Sequence, residues 1–291
     1  MVLKNILVIG SLNVDLMVQV DELPVPGQTL TSKSFEILPG GKGMNQAVCA
    51  AKLGANVTMA GCIGNDSYGE LLMKTLEANQ INSKYIRTMT GKPTGTAIVT
   101  TSPKDNNIIV VPGANACVDR EYIDSIYEVI KEADLVILQL EIPLDTVYYV
   151  IDICHKENIA VILNPAPAQE IDKTYIEKVN YFIPNETELV SIFNEDFKTI
   201  LARYPNKIIM SAGENGAYFH DGTELVNCKA RDVEVVDTTG AGDAFNGALA
   251  VSVLAGKDLK SAVDYANGIA AITTTVKGAQ GADADRYKRS I

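Results

Sequence analysis

Histidine is scarce in this chain of 291 residues: His155 and His220 are the only two, far apart and in stretches of different character. A histidine-based triad or a multi-histidine metal site has little material to work with, so acid–base chemistry falls to carboxylates. The five cysteines, Cys49, Cys62, Cys117, Cys154 and Cys228, are odd in number and show no paired spacing. That argues against zinc or a redox couple and reads as core thiols. No apolar run reaches the roughly 18 residues of a membrane helix, and Met1-Val2-Leu3-Lys4-Asn5 passes into a strand-like run without a signal-peptide layout. A soluble cytoplasmic protein with no membrane attachment is the expectation. Clustered Lys and Arg are missing as well, and the net charge of −11 with a pI near 4.7 argues against a nucleic-acid surface. It does not exclude a nucleotide, whose pocket needs only local donors and a metal ion. Finally, Gly10-Ser11-Leu12-Asn13-Val14-Asp15 lacks the Gly-x-Gly-x-x-Gly spacing and no P-loop is present, which sets a Rossmann dehydrogenase aside.

What is present is a chain with 47% hydrophobic residues, enough for a substantial core. Ile6 to Gly10 reads as a buried first strand, after which Val14, Leu16, Val18 and Val20 alternate with polar or flexible residues as a half-covered strand. Thr96 to Thr101 and Ile108 to Val111, across the turn from Ser102 to Asn106, form a second half-covered pair. A small sheet assembled from two separated segments follows. From Asp134 onward, Leu135 to Leu140, Ala160 to Leu163, Tyr181 to Pro184 and Lys207 to Ser211 alternate with helical stretches, implying an α/β fold with a mostly parallel sheet flanked by helices. Polar residues fall just after five strands: Asn13, Glu141, Asn164, Asn185 and Ser211. Ligands of such sheets bind beyond the carboxyl ends of the strands. Without a repeat or linker, the chain reads as one domain over residues 1–291.

Two glycine clusters carry the chemistry. Asp237-Thr238-Thr239-Gly240-Ala241-Gly242-Asp243 runs into the apolar stretch from Ala244 to Leu254, a glycine turn opening a helix whose unpaired N–H groups make an anion cradle. Asp243 beside it can take a proton from a hydroxyl attacking a phosphoryl group; the plainer reading is an Asp N-cap after a turn. Pro39-Gly40-Gly41-Lys42-Gly43-Met44-Asn45-Gln46 leads into a helical stretch from Ala47 to Leu53 closed by Gly54.

These two segments, with Asn13-Val14-Asp15, resemble the sugar-binding and catalytic signatures of the ribokinase family, the PfkB carbohydrate kinases. The resemblance continues through Gln139-Leu140-Glu141, Asn164 to Ala168, Pro184-Asn185-Glu186-Thr187-Glu188 and Lys277-Gly278-Ala279-Gln280, in family order over nearly the whole chain. Within the family the glycine-rich runs look more like ribose-acting members than fructokinases or adenosine kinases. The resemblance implies that the small sheet, from about 13–34 and 92–112, is a lid over the sugar and the contact of a homodimer. It implies ATP-dependent phosphorylation of D-ribose at the 5-hydroxyl. Asn13, Asp15, Gly40, Gly41, Asn45 and Glu141 become sugar contacts, and Lys42 either joins them or is a surface cation. Asp243 becomes the general base, with Gly240, Ala241 and Gly242 as backbone donors to the transferring group.

On the nucleotide side the resemblance implies Asn185 and Glu188 around magnesium and phosphate, partly through water, although the same pair also reads as a capping box. Ser211, Ala212, Gly213, Glu214, Asn215 and Gly216 become the loop bordering the nucleotide, or else a plain glycine turn, and Asn267 an adenine-side contact. Asp237 and Thr239, with the carbonyls of Thr273, Val276 and Gly278, match the family's potassium loop. Two departures stand out. Gly281-Ala282-Asp283-Ala284 replaces a proline and serine, so Ala282 occupies the last cation position without a side-chain oxygen. The region from Phe193 to Asn206 is short for the family. Alternatives are a kinase of 2-deoxyribose, another pentose or a nucleoside, and a non-catalytic sugar sensor.

Overall fold

Strand β1 (Asn5–Ile9) is buried on both faces. Ile6 and Val8 join a core cluster with Met44, Val48 and Leu249, whereas Leu7 and Ile9 join a second one with Val147, Ile151 and Leu189. That split marks a strand covered front and back by helices. The structure is a computed structural model describing residues 4–103 and 105–289. Met1 to Leu3, Lys104 in the expected turn, and Ser290 and Ile291 lie outside the described residues.

The chain continues through β2 (Asn13–Gln19), β3 (Ser34–Gly40), α1 (Lys42–Lys52), β4 (Asn56–Gly64), α2 (Ser67–Ala78), β5 (Asn82–Met89), β6 (Gly95–Thr101) and β7 (Asn106–Val111). There follow α3 (Arg120–Ser125), α4 (Tyr127–Lys131), β8 (Leu135–Leu138), α5 (Leu144–Glu157), β9 (Ala160–Leu163), α6 (Thr174–Lys178) and β10 (Tyr181–Phe182). The last part holds α7 (Glu186–Phe193), α8 (Phe197–Arg203), β11 (Met210–Ser211), β12 (Ala217–His220), β13 (Leu225–Cys228), α9 (Ala241–Leu254), α10 (Leu259–Thr273) and α11 (Ala284–Arg289). The central sheet has the order β10-β9-β8-β1-β4-β5 with every pairing parallel. Bridges Phe182 to Ile208 and Asn185 to Ser211 continue it toward a small antiparallel sheet, β11-β12-β13. The strand expected from Lys207 to Ser211 is reduced to Met210–Ser211 and pairs antiparallel with β12, and β12 and β13 have no counterpart in the sequence pattern.

A separate sheet, β3-β2-β6-β7, stands at the carboxyl ends of the central strands. It runs to Gly40 rather than ending near residue 34 as expected. Pro39 and Gly40 read as breakers in sequence, yet they close β3 opposite Val14 and Asn13. Helix α1 likewise begins at Lys42, ahead of the expected Ala47, so Lys42, Asn45 and Gln46 are helical. Four of the five thiols are buried, with Cys117 half-buried and all five free. Burial pushes Cys49, Cys62, Cys154 and Cys228 up to about 12, which keeps them protonated and inert.

Candidate active site

Asn13, Asp15, Gly41, Lys42, Asn45, Glu141, Thr239, Gly240 and Asp243 line one cavity of about 830 Å³ beneath the lid. Met17, Ala97, Val99, Ile108 and Val110 of the lid strands form its apolar wall. Gly41, just ahead of α1, has φ 90°, and a Cβ there would stand 2.7 Å from the Asn13 nitrogen, so only glycine lets the helix start this close to β2. Gly40 is equally constrained, because the Asp15 carboxylate packs against its Cα.

Asp243 is the third residue of α9, not its N-cap; Gly240 caps the helix at φ 77°. Its carboxylate is 8% exposed and both oxygens are held by amides: Asn45 Nδ2 donates to Oδ2 at 2.9 Å and Gln46 Nε2 to Oδ1 at 3.0 Å. Gln46 is itself oriented by Gln139 Nε2, which donates to its Oε1 at 2.8 Å, and it also donates to Asn164 Oδ1 at 3.2 Å. At the helix start, Ala241 N–H turns back to the Thr238 carbonyl at 3.2 Å. No backbone acceptor among the described residues engages the N–H groups of Gly240, Gly242 or Asp243. Of the three expected donors, Ala241 is thus the one whose N–H is engaged within the turn.

Glu141 Oε2 accepts from the Ser11 hydroxyl at 2.5 Å, from Lys42 N–H at 3.2 Å and from Asn13 Nδ2 at 3.4 Å. Asn115 Nδ2 donates to Asn13 Oδ1 at 2.7 Å, which turns the Asn13 amide nitrogen toward Glu141. Burial pushes the Asp15 carboxyl up to about 6, with Glu141 and Asp243 adding like-charge repulsion and Lys42 opposing them. Burial works against the Lys42 ammonium, yet Asp243, Glu141, Glu188 and Asp15 outweigh it and raise its pKa. Lys42 is thus the cation of an acidic cluster rather than a surface charge.

Asn185 and Glu188 form a reciprocal capping box on α7, with Asn185 N donating to Glu188 Oε2 and Glu188 N to Asn185 Oδ1, both at 2.8 Å. Burial raises the Glu188 carboxyl, against the Asn185 N–H and Lys42. Ser211 bridges to Asn185, Ala212 N–H closes on the Gly216 carbonyl, and Gly213, Glu214 and Asn215 form a short 3-10 turn between them. Gly216 and Asn267 meet at the Cys228 carbonyl, to which Asn267 Nδ2 donates at 2.7 Å. None of these nucleotide-side residues lines the lid cavity. Asp237 accepts from the N–H groups of Thr239 and Gly278. Burial alone would raise it, but the Thr239 hydroxyl, with the Gly278 and Thr239 N–H groups and Lys277, holds it below the usual carboxylate range.

A model of the pfkB family of carbohydrate kinases matches residues 3–285. The chain belongs to that family. It is similar to a ribokinase of Bacillus subtilis, 42% identical over 280 residues and 96% of each chain. A deoxyribokinase of Salmonella typhi is 38% identical, covering 95% of this chain and 94% of that one. Among solved structures, an Arabidopsis thaliana ribokinase complexed with ribose and ATP superposes with a TM-score of 0.89 at 31% identity, over 99% and 98% of the two chains. The kinase is an ATP-dependent enzyme of carbohydrates with a ribokinase-like fold. Sequence reasoning gave no site role to Ser11, Gln46, Asn115, Gln139 or Gln280. Ser11, Gln46, Gln139 and Gln280 lie within or beside the motifs that carry the resemblance, and the glutamine directly after Asn45 is the available signal.

Proposed function

We propose that this kinase transfers the terminal phosphoryl group of ATP to the 5-hydroxyl of D-ribose, giving D-ribose 5-phosphate. The observation that carries the reading is the Asp243 carboxylate, aimed by two amides into a cavity that also presents Asn13, Asp15, Asn45 and Glu141. Paired acceptors and donors of this kind suit a small polyol. Asp243 takes the hydroxyl proton as the new O–P bond forms and the bond to the ADP oxygen breaks. The N–H groups at the start of α9 stabilise the charge on the transferring group. Gly40 and Gly41 bring backbone against the sugar, and Lys42 balances the carboxylates.

Asn185, Glu188 and the turn from Ser211 to Gly216 border the nucleotide, with Asn267 on the adenine side. Among the described residues no cluster of three or more His, Cys, Asp or Glu could cage a metal. That fits magnesium, which keeps most of its waters and arrives with the phosphates; Glu188 is the residue to hold it through water. When bound, magnesium neutralises phosphate charge. Asp237, Thr239 and the carbonyls of Thr273, Val276 and Gly278 are assigned to potassium, with Ala282 offering no side-chain oxygen.

The match to a deoxyribokinase supports 2-deoxyribose as the second reading. An ATP-consumption screen over ribose, 2-deoxyribose, fructose and common nucleosides separates them: ribose is expected to give the highest kcat/KM, and a preference for 2-deoxyribose or a nucleoside would reassign the substrate. Silence on every sugar would leave a non-catalytic sensor. No helix among the described residues is long and apolar enough to cross a membrane, and we assign the kinase to the cytoplasm. Ile98 and Ile109, 39% and 63% exposed, pair across β6 and β7 on the face turned from the cavity. A homodimer through the lid would cover them; sedimentation at the monomer mass across the micromolar range would refute it.

A further inference from the structure

Helix α1 carries Asn45 and Lys52 two turns apart on one face, and both reach the segment after α10. Lys52 Nζ donates to the carbonyls of Gln280 and Ala282 at 2.7 and 2.9 Å. The Gln280 side chain points the other way along the helix, and its Nε2 donates to Asn45 Oδ1 at 2.8 Å. An amide that accepts through its oxygen has only its NH₂ left for the opposite side, and there Asn45 Nδ2 meets Asp243 Oδ2 at 2.9 Å. Gln280 and Asp243 thus hold the amide from its two ends, and without a donor at Gln280 the carboxylate would have to orient Asn45 by itself.

We propose that Gln280 is a positioning residue that fixes the direction of the Asn45 amide and thereby the orientation of the Asp243 carboxylate. Lys52 holds the Gln280 backbone in register with α1, so the same helix carries the anchor and the amide being oriented. The inference rests on Asp243 as general base. It concerns neither substrate nor cation, and it names a residue that the sugar and nucleotide sets do not contain.

The test compares Gln280→Met and Gln280→Glu with wild type at one fixed potassium concentration, with Asp243→Asn in parallel. Methionine keeps the length and removes the donor. Glutamate keeps the shape but offers only acceptors, so it faces the Asn45 oxygen with a carboxylate and competes with Asp243 for the Asn45 NH₂. The expected loss in kcat is about fivefold for Gln280→Met and about thirtyfold for Gln280→Glu, the rate equivalents of a neutral and a charge-bearing hydrogen bond. The KM for ATP and the melting temperature should stay near wild type. A purely structural role predicts equal losses in the two variants, and a Gln280→Glu enzyme as fast as Gln280→Met or wild type overturns the proposal. An inactive Asp243→Asn beside an unaffected Gln280→Glu sinks this inference alone, whereas an active Asp243→Asn sinks the base reading and this inference with it.

Discussion

The proposed sugar side and the proposed nucleotide side of this kinase are built from different materials. Around the lid cavity, side chains are locked to one another: Ser11 to Glu141, Asn115 to Asn13, and Gln139 to Gln46 to Asp243. On the proposed nucleotide side, the contacts run to backbone groups: Ala212 closes on Gly216, the Asn185 and Glu188 side chains accept from each other's N–H groups, and the Asn267 amide donates to the Cys228 carbonyl. A sugar presents several hydroxyls of fixed stereochemistry and needs donors and acceptors pre-set by side-chain packing. A polyphosphate offers many equivalent oxygens, and oriented N–H groups suffice. Under the proposed roles, specificity is concentrated on one side of α9 and generic anion affinity on the other.

The largest break in that comparison comes at the residue shared by both sides. Asp243→Asn should lower turnover by roughly 10²- to 10⁴-fold while leaving sugar binding largely intact. A variant keeping more than about a third of wild-type turnover in a coupled ADP assay removes Asp243 from the role of base.

A smaller effect, confined to the sugar side, is expected at Asp15. Asp15→Asn should raise the KM for ribose by about 5- to 150-fold, the equivalent of 1–3 kcal/mol for a buried partner left unmatched, with the KM for ATP unchanged. Because burial raises Asp15 to about 6, wild-type KM for ribose should climb as pH falls through that value, when the carboxyl takes up a proton and loses acceptor capacity. Stability runs the opposite way. The folded chain binds this proton more tightly than the unfolded chain, so the ionised Asp15 costs stability above about pH 6, and the cost fades toward about pH 4. Asp15→Asn should accordingly melt above wild type at pH 7 to 8 and level with it near pH 4. Equal melting curves at neutral pH would show that Asp15 carries no such strain.

The smallest effect belongs to the loop that joins the two sides. Potassium added at constant ionic strength should raise wild-type turnover a few-fold, and Asp237→Ala should abolish the response without changing either KM. The Lys52 ammonium already holds the Gln280 and Ala282 carbonyls, which keeps the expected activation modest. Identical wild-type rates in sodium and potassium would return Asp237 to a turn-forming role.

The strand-end motifs were legible because aspartate, asparagine and glycine in those positions carry local chemistry. Asn13, Asp15, Glu141 and Asp243 meet in one cavity, and the strands expected at Leu135, Ala160 and Tyr181 join the parallel sheet, while the one expected from Lys207 to Ser211 enters the antiparallel sheet. What remained hidden lies in contacts between distant segments. Gln139 reaches Gln46 across 93 positions and Gln280 reaches Asn45 across 235, and no local pattern announces such a pairing. β3 was lost for another reason: Pro39 and Gly40 look like breakers until the Asp15 carboxylate is seen packed on Gly40. Lys42 reads as either a sugar contact or a surface cation until the four carboxylates around it are assembled.

Asn13 and Asp15 belong to β2, a strand of the lid, while Asp243 and the donors of α9 belong to the body beneath it. On the proposed roles, recognition is split: Asn13 and Asp15 lie on the cover, whereas Asn45 and Glu141 lie on the body beside the transfer residues. Exchanging residues of β2, β6 and β7 would then alter one half of the sugar contacts and leave the proposed phosphoryl-transfer apparatus whole.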